Sequence, residues 1–346
     1  MSVITIIGSG MMGSAIGMPA AANGHEIRLV GTPLDTEIIN QARLTGNHIT
    51  LKRPLPGTYR YYQFDEAKEA LDGASCCVCG VSSFGLEWFL HTALPLIPDH
   101  MPVLMVTKGM LDREDGSLIS YPEYYKEHYP NKHINGVGGP CTSYELADRD
   151  PTEVSFCGWD LSELRFLKSL FATDWYHVSL STDVRGVECA VAMKNAYALA
   201  VTLAVGMAQA RDGRDDAIHY NSQAALFGQS VREMRRLLAL CGGGDDNIIL
   251  GAGDLYVTVF GGRTRFIGTL LGRGLTFEAA MDRLKGVTLE SIVIAERTGR
   301  AVHRLIDAGK VAPASFPLLL HVYDVLKNGA PAQNIPWSAF ETETEI

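Results

Sequence analysis

A chain of 346 residues exceeds one ordinary domain of about 100–200 residues, so two domains are expected, with enough chain to bury a sizeable core. Hydrophobic residues make up 47% and charged residues 20%, with mean hydropathy +0.05, which argues against a disordered tail, a fibre or a membrane bundle. Thirty basic against 39 acidic side chains leave a net charge of −9 without blocks of like charge, a balance that disfavours nonspecific nucleic-acid binding.

Met1-Ser2-Val3-Ile4-Thr5 carries no basic leader, and the apolar run after it is broken by glycines, so no export signal is read. The longest uncharged apolar stretch, Asn195 to Ala210, falls short of the roughly 18 residues of a spanning helix and reads as a buried core helix, with no membrane partner. Seven scattered cysteines are an odd number and fit free thiols in a reducing cytoplasm. Cys76 and Cys79 form a CxxC inside an apolar strand-like run, whereas a redox CxxC usually opens a helix. The histidines, His177, His219, His303 and His321 among them, show no ligand spacing, and no metal is assigned.

Val3 to Ile7 is a β-branched run bounded by glycine, the pattern of a buried parallel strand. A helix is predicted to follow as far as Asn23-Gly24, and His25 to Val30 supplies the next strand, closing a βαβ unit. Further on, Asp65–Leu71 reads as a helix, Cys76–Val81 as a strand, Leu86–Leu96 as a helix and Pro102–Val106 as a strand ending at Thr107-Lys108-Gly109. Thr152–Cys157 and Leu161–Phe171 continue the alternation as strand and helix. Beyond about Thr182 the periods turn helical, from Gly186 to Arg211, Ser222 to Cys241 and Thr276 to Ala308. The expected fold is therefore α/β: an N-terminal Rossmann-type, doubly wound parallel sheet (1–182) followed by an all-helical C-terminal domain (183–346). The acidic tail Glu341 to Glu345 is expected to fray.

Gly8-Ser9-Gly10-Met11-Met12-Gly13 is a GxGxxG, a weak signal alone but one that here follows a strand, opens a helix and closes a βαβ unit. In that setting Gly8 makes the tight turn, Gly10 admits the pyrophosphate and Gly13 lets helix pack on strand. After the second strand the residues are Gly31-Thr32-Pro33-Leu34-Asp35, with no acid at once and no base for a 2′-phosphate. Asp35 is a late candidate for the ribose, so the cofactor reads as NAD or NADP with a slight lean to NAD.

Lys194 lies in an apolar helical stretch, Cys189 to Leu199, where its ammonium is expected to be partly desolvated and suited to proton transfer to a carbonyl oxygen; a lysine reaching from a core helix to solvent is the bland alternative. Asp254, between Gly253 and Leu255, is a carboxylate that could pair with it, although Asp after Gly is commonly a cap or turn residue. Arg263 and Arg265 sit in a glycine-rich segment and suit a phosphate or plain solvated charge equally. Lys108 follows a strand at the carboxyl edge of an open α/β sheet, where ligands bind. Cys189 reads as packing.

Gly186-Val187-Glu188, Met193-Lys194-Asn195-Ala196, Gly251 to Thr258 and Gly261-Gly262-Arg263-Thr264-Arg265, together with Gly8 to Gly13, Thr107-Lys108-Gly109 and Gly139-Pro140, resemble the NAD(P)-dependent glycerol-3-phosphate dehydrogenase family over nearly the whole chain. The resemblance implies a Rossmann domain followed by a helical domain, commonly as a homodimer, interconverting dihydroxyacetone phosphate and sn-glycerol 3-phosphate. It implies that Lys194 is the general acid/base, Lys108 a second active-site lysine that also borders the cofactor, and Asp254 and Thr258 orienting groups. It places Asn195 in the same pocket and gives Arg263 the substrate phosphate and a cofactor contact. Thr264 stands where the family usually has Asn, Cys141 to Tyr144 replace a Ser-Phe-Ala type of run, and Lys285-Gly286 replaces Glu-Gly or Gln-Gly. A paralogue acting on a tetritol or pentitol phosphate or a related hydroxyacid, and a cofactor sensor without catalysis, are the alternatives.

Overall fold

The computed structural model describes residues 1–287 and 289–342. The expected frayed tail lies outside the described residues from 343 onward. The chain forms two compact units: Met1–Lys108 with Ser120–Glu188, and Gly109–Ile119 with Cys189–Ile346. The division thus differs from a single cut at 182. It falls inside the helix Val184–Ala192, and a short segment after Lys108 belongs to the second unit.

Among the described residues twelve strands run in chain order: β1 (Val3–Ile7), β2 (Glu26–Val30), β3 (Asn47–His48), β4 (Arg53–Pro54), β5 (Tyr59–Tyr62), β6 (Cys76–Cys79), β7 (Val103–Met105), β8 (Met110–Asp112), β9 (Leu118–Ser120), β10 (Ile134–Gly138), β11 (Thr152–Cys157) and β12 (Tyr176–Ser181). Eight form one sheet in the order β12-β11-β10-β7-β6-β1-β2-β5, in which only β10 and β11 pair antiparallel. The apolar runs are buried on both faces, which parallel strands covered by helices require, and the first unit is a Rossmann-type fold. From β1 the order runs outward to β2 and β5 on one side and to β6 and β7 on the other, so the topological switch lies between β1 and β6. Ligands of such sheets bind beyond the carboxyl ends of the strands at that switch.

Two expected helices are interrupted, each at a proline. The helix after the glycine loop is split into Met11–Ala15 and Gly17–Ala22, because Pro19 has no N–H for the Ala15 carbonyl although Ile16 stays right-handed (φ −63°, ψ −21°). The segment 86–96 is a turn of α-helix, a π turn (Phe89–Ala93) and a 3₁₀ turn, since Pro95 cannot donate to His91.

The second unit is helical and built around Lys194–Asp212, which packs against Tyr220–Leu240, Ile248–Val259, Gly262–Gly272, Glu290–Asp307 and Pro317–Lys327. By length and composition, Val184–Asp212 is apolar enough to cross a membrane, but 89% of its apolar window is buried inside the protein, as expected of a core helix. Glycines bring Gly262–Gly272 against it: a Cβ at Gly268 would lie 1.9 Å from Thr202 Oγ1 and one at Gly272 2.1 Å from the Leu203 carbonyl oxygen. Glu233, fully buried, accepts the Leu318 and Leu319 N–H groups (2.8 and 2.9 Å) and so caps the last long helix. Asp112 in β8 accepts from Arg300 (2.7 Å) and Arg304 (2.9 Å), tying that strand to Glu290–Asp307.

Candidate active site

In the first unit the loop Gly8–Gly13 leaves β1 at the switch. Gly8 has φ +110°, and a Cβ there would lie 2.6 Å from the Gly80 carbonyl carbon, so only glycine makes the turn. A Cβ at Gly13 would lie 2.1 Å from the Gly8 oxygen, which fixes the close packing of helix on loop. At Gly10 nothing lies within 4 Å of the same atom. That open space faces the first turn of Met11–Ala15, whose N–H groups at Met11 and Met12 have no acceptor within the helix. Ser9 Oγ is buried with no partner. Open space at Gly10, first-turn N–H groups and an orphaned hydroxyl together fit a dinucleotide pyrophosphate.

Asp35 is half-buried, and a single oxygen, Oδ2, accepts from Ser9 N (3.3 Å), Thr32 N (2.9 Å) and Thr32 Oγ1 (2.8 Å). The carboxylate is therefore held at the glycine loop. His48, a fully buried residue of β3, also supports the loop and carries no local sequence signal that marks it. Leu51 N donates to its Nδ1 (3.0 Å), so Nε2 carries the proton and donates to the Ser9 carbonyl at 2.8 Å. Burial lowers the His48 pKa below the usual histidine value. Its stabilising contribution is therefore complete above about pH 6.5 and is lost as pH falls through the lowered value. His48→Ala is expected to raise the Michaelis constant for the dinucleotide roughly tenfold with little change in kcat, the loss of about one hydrogen bond to the loop. Initial rates at varied cofactor check this.

Lys108 follows β7 by three residues, and its Nζ donates to the Gly139 carbonyl at 2.7 Å. Gly139 has φ +130°, and a Cβ there would meet Val154 Cα at 3.0 Å. Cys76 and Cys79, three apart in β6, point to opposite sheet faces, and burial pushes both thiols up to about 12. They cannot share a metal or act as a thiolate pair. Among the described residues no group of three or more metal-binding side chains occurs.

In the second unit, Lys194 is the first residue of its helix and Asp254 lies in Ile248–Val259. Lys194 Nζ donates to Asp254 Oδ1 at 2.5 Å, with the lysine side chain 13% exposed and the aspartate fully buried. The ammonium is thus desolvated as expected, and it is also paired. Thr258, one turn after Asp254, donates its hydroxyl to the Asp254 carbonyl (2.7 Å) and so shares its helix face without bonding the carboxylate. Asn195 and Thr264 are buried. The glycine contacts set a parallel register, with 268 against 199 and 272 against 203. Lys194–Asp212 continues from Val184–Ala192 through the right-handed Met193, whereas Gly262–Gly272 begins afresh after the extended Gly261. Arg263, exposed at that end, has no ion pair among the described residues, whereas Arg265 donates to the Val259 carbonyl at 2.8 Å.

A pyrophosphate-fitting loop on a parallel sheet and a lysine–carboxylate pair in a helical unit define a dinucleotide-dependent dehydrogenase. The model described as NAD-dependent glycerol-3-phosphate dehydrogenase N-terminus matches residues 3–161, and the corresponding C-terminus model matches 183–336. The NADP(+)-dependent glycerol-3-phosphate dehydrogenase of Archaeoglobus fulgidus is 30% identical over 96% of this chain and 97% of that protein. The glycerol-3-phosphate dehydrogenase (NAD(P)+) of Myxococcus xanthus is 28% identical over 95% and 94% of the two chains. In fold, the crystal structure of glycerol-3-phosphate dehydrogenase from Coxiella burnetii superposes with a TM-score of 0.80 at 23% identity, covering 98% of this chain and 97% of that one. The chain belongs to the NAD-dependent glycerol-3-phosphate dehydrogenase family, a family of oxidoreductases.

Proposed function

We propose that this chain interconverts sn-glycerol 3-phosphate and dihydroxyacetone phosphate with a nicotinamide dinucleotide. The Lys194–Asp254 pair is the observation that carries the reading. The first unit binds the dinucleotide through Gly8, Ser9, Gly10, Met11, Met12, Gly13 and Asp35, with Lys108 as a further contact; for Arg263 the resemblance implies a cofactor contact as well. When bound, the nicotinamide supplies or takes the hydride. Lys194 stabilises the alkoxide that forms at C2 and protonates it; in oxidation it accepts the hydroxyl proton. Asp254 holds the ammonium in place, and Asn195 and Thr258 lie beside that pair on the same helices; for Lys108, in the first unit, the resemblance implies a substrate contact. Arg263 binds the phosphate as a bidentate fork, helped by the N-terminal end of its own helix.

We favour NAD over NADP because a carboxylate fixed at Ser9 and Thr32 accepts ribose hydroxyls and repels a 2′-phosphate. The Archaeoglobus relative carries NADP(+) in its name, so Asp35→Asn is the informative variant. If Asp35 sets the preference, it shifts kcat/KM toward NADP; an unchanged ratio removes the argument. The enzyme is further proposed to be cytoplasmic, as its scattered free thiols suggest, and a homodimer, as the resemblance implies; sedimentation of the purified protein tests the oligomer.

Arg263→Ala is expected to raise the Michaelis constant for phosphorylated substrates by the equivalent of about 2–4 kcal/mol. Thr264, shorter than Asn and a donor of one hydrogen bond only, leaves room for a longer polyol phosphate. Thr264→Asn should then improve kcat/KM for dihydroxyacetone phosphate if the site serves a larger substrate, and should change it little if dihydroxyacetone phosphate is the natural one. A panel of triose, tetrose and pentose polyol phosphates with NAD and NADP decides between them.

A further inference from the structure

Glu188 has no place in the reaction as described, yet it is fully buried and neither carboxyl oxygen has a hydrogen-bond partner. Leaving such a group unsatisfied costs free energy that a protein ordinarily avoids. It sits on the helix Val184–Ala192 and faces β10 at Gly136, where a Cβ would lie 2.3 Å from Glu188 Oε1 and 3.2 Å from Cys157 Sγ. Glycine at 136 therefore makes the space the carboxyl occupies. Three charged or titratable groups of other elements act in this space. Lys108, from the loop after β7, favours the carboxylate, whereas Glu123, from Tyr121–His128, disfavours it. Cys157 of β11 is itself pushed up, by burial first and then by Glu188. On the same helix, Arg185 is engaged with Glu123.

We propose that Glu188 is a positioning residue for Lys108: as a neutral carboxyl it leaves the ammonium on the Gly139 carbonyl with its field directed to an anionic substrate, and as a carboxylate it draws and neutralises that charge. The proposal rests on Lys108 being an active-site lysine. Burial pushes the Glu188 carboxyl up to about 8, so its protonation changes just above neutrality. No atom is transferred beyond that one proton, which exchanges with solvent. Consistent with the sign, a carboxyl that holds its proton more tightly when folded lowers stability as pH rises from the ordinary carboxylate range through about 8.

The test is the pH dependence of the Michaelis constant for dihydroxyacetone phosphate between about pH 7 and 9, at saturating reduced dinucleotide. It is compared among wild type, Glu188→Gln and Lys108→Met. The substrate phosphate is fully ionised throughout, having a second pKa near 6, and Lys194 is common to all three proteins, so neither separates the profiles. In the wild type the Michaelis constant should rise on the order of tenfold across this range, the size of one screened charge pair, with a smaller change in kcat. In Glu188→Gln, which keeps the shape without the proton, the rise should vanish. In Lys108→Met the constant should be high at every pH and equally flat, which serves if the glutamine variant folds poorly. Parallel slopes in wild type and Glu188→Gln, with Lys108→Met impaired, overturn the proposal and leave the site standing. An unimpaired Lys108→Met overturns both this proposal and the active-site role of Lys108.

Discussion

Lys194→Ala is expected to abolish turnover while leaving dinucleotide binding nearly intact. The side chain removed is the proposed donor to the carbonyl oxygen, and the loop proposed to hold the dinucleotide lies in residues 8–13 of the other unit. Losing a general acid costs about 10²- to 10⁴-fold in rate, and more where its charge also stabilises an alkoxide. The variant should also be less stable. Asp254 is fully buried and loses the ammonium 2.5 Å from its Oδ1, and breaking such a pair from one side costs about 3–5 kcal/mol. Asp254→Asn keeps the shape and removes the charge, so its rate should fall while its stability changes less. Turnover with dihydroxyacetone phosphate, dinucleotide titration and thermal melting together check the set. Most of the wild-type rate surviving in folded Lys194→Ala would remove the lysine from the reaction.

At the glycine loop, two substitutions of the same kind should fail for different reasons. Gly10→Val meets open space, so the protein should fold and melt like the wild type and yet lose dinucleotide affinity by about 3 kcal/mol or more, roughly 150-fold. Gly13→Val drives a side chain to within 2.1 Å of the Gly8 carbonyl oxygen, a backbone atom that cannot yield cheaply, so both stability and binding should fall. Calorimetric titration after melting curves separates the two. Unchanged affinity in Gly10→Val would reduce the loop to a turn.

The parts of the molecule legible in the sequence were those whose signal is local. The β-branched run Val3–Ile7, the glycines after it and the second strand made one continuous pattern, and all lie where expected. The long apolar stretch after Lys194 read as a core helix and is one. What the sequence concealed depends on contacts between distant residues. Strand β10, Ile-Asn-Gly-Val-Gly, is too rich in glycine to read as a strand, yet its Gly136 is what accommodates Glu188 and Cys157. The antiparallel turn of β11 breaks the alternation that a purely parallel reading continues. Strand β8 joins the helical unit through Asp112 and two arginines about 190 residues away, which no window of sequence displays. His48 looked like any surface histidine, and only its two ring hydrogen bonds reveal that it supports Ser9. The pairing of Lys194 with Asp254, by contrast, was open to inference because Lys194 sits in an apolar helical stretch that leaves its charge little else to meet, although Asp254 itself read equally as a cap or turn residue.

The central claim is that this chain oxidises and reduces a small polyol phosphate at C2, and the initial rate with dihydroxyacetone phosphate tests it most directly. The purified protein is mixed with reduced NAD or reduced NADP, and loss of the reduced-nicotinamide absorbance is followed with and without the substrate. The account predicts a substrate-dependent loss with at least one cofactor, within the ordinary range of about 1–10³ turnovers per second, and none in Lys194→Ala. A folded, dinucleotide-binding wild type that leaves the absorbance unchanged with dihydroxyacetone phosphate and with the longer ketose phosphates would contradict it.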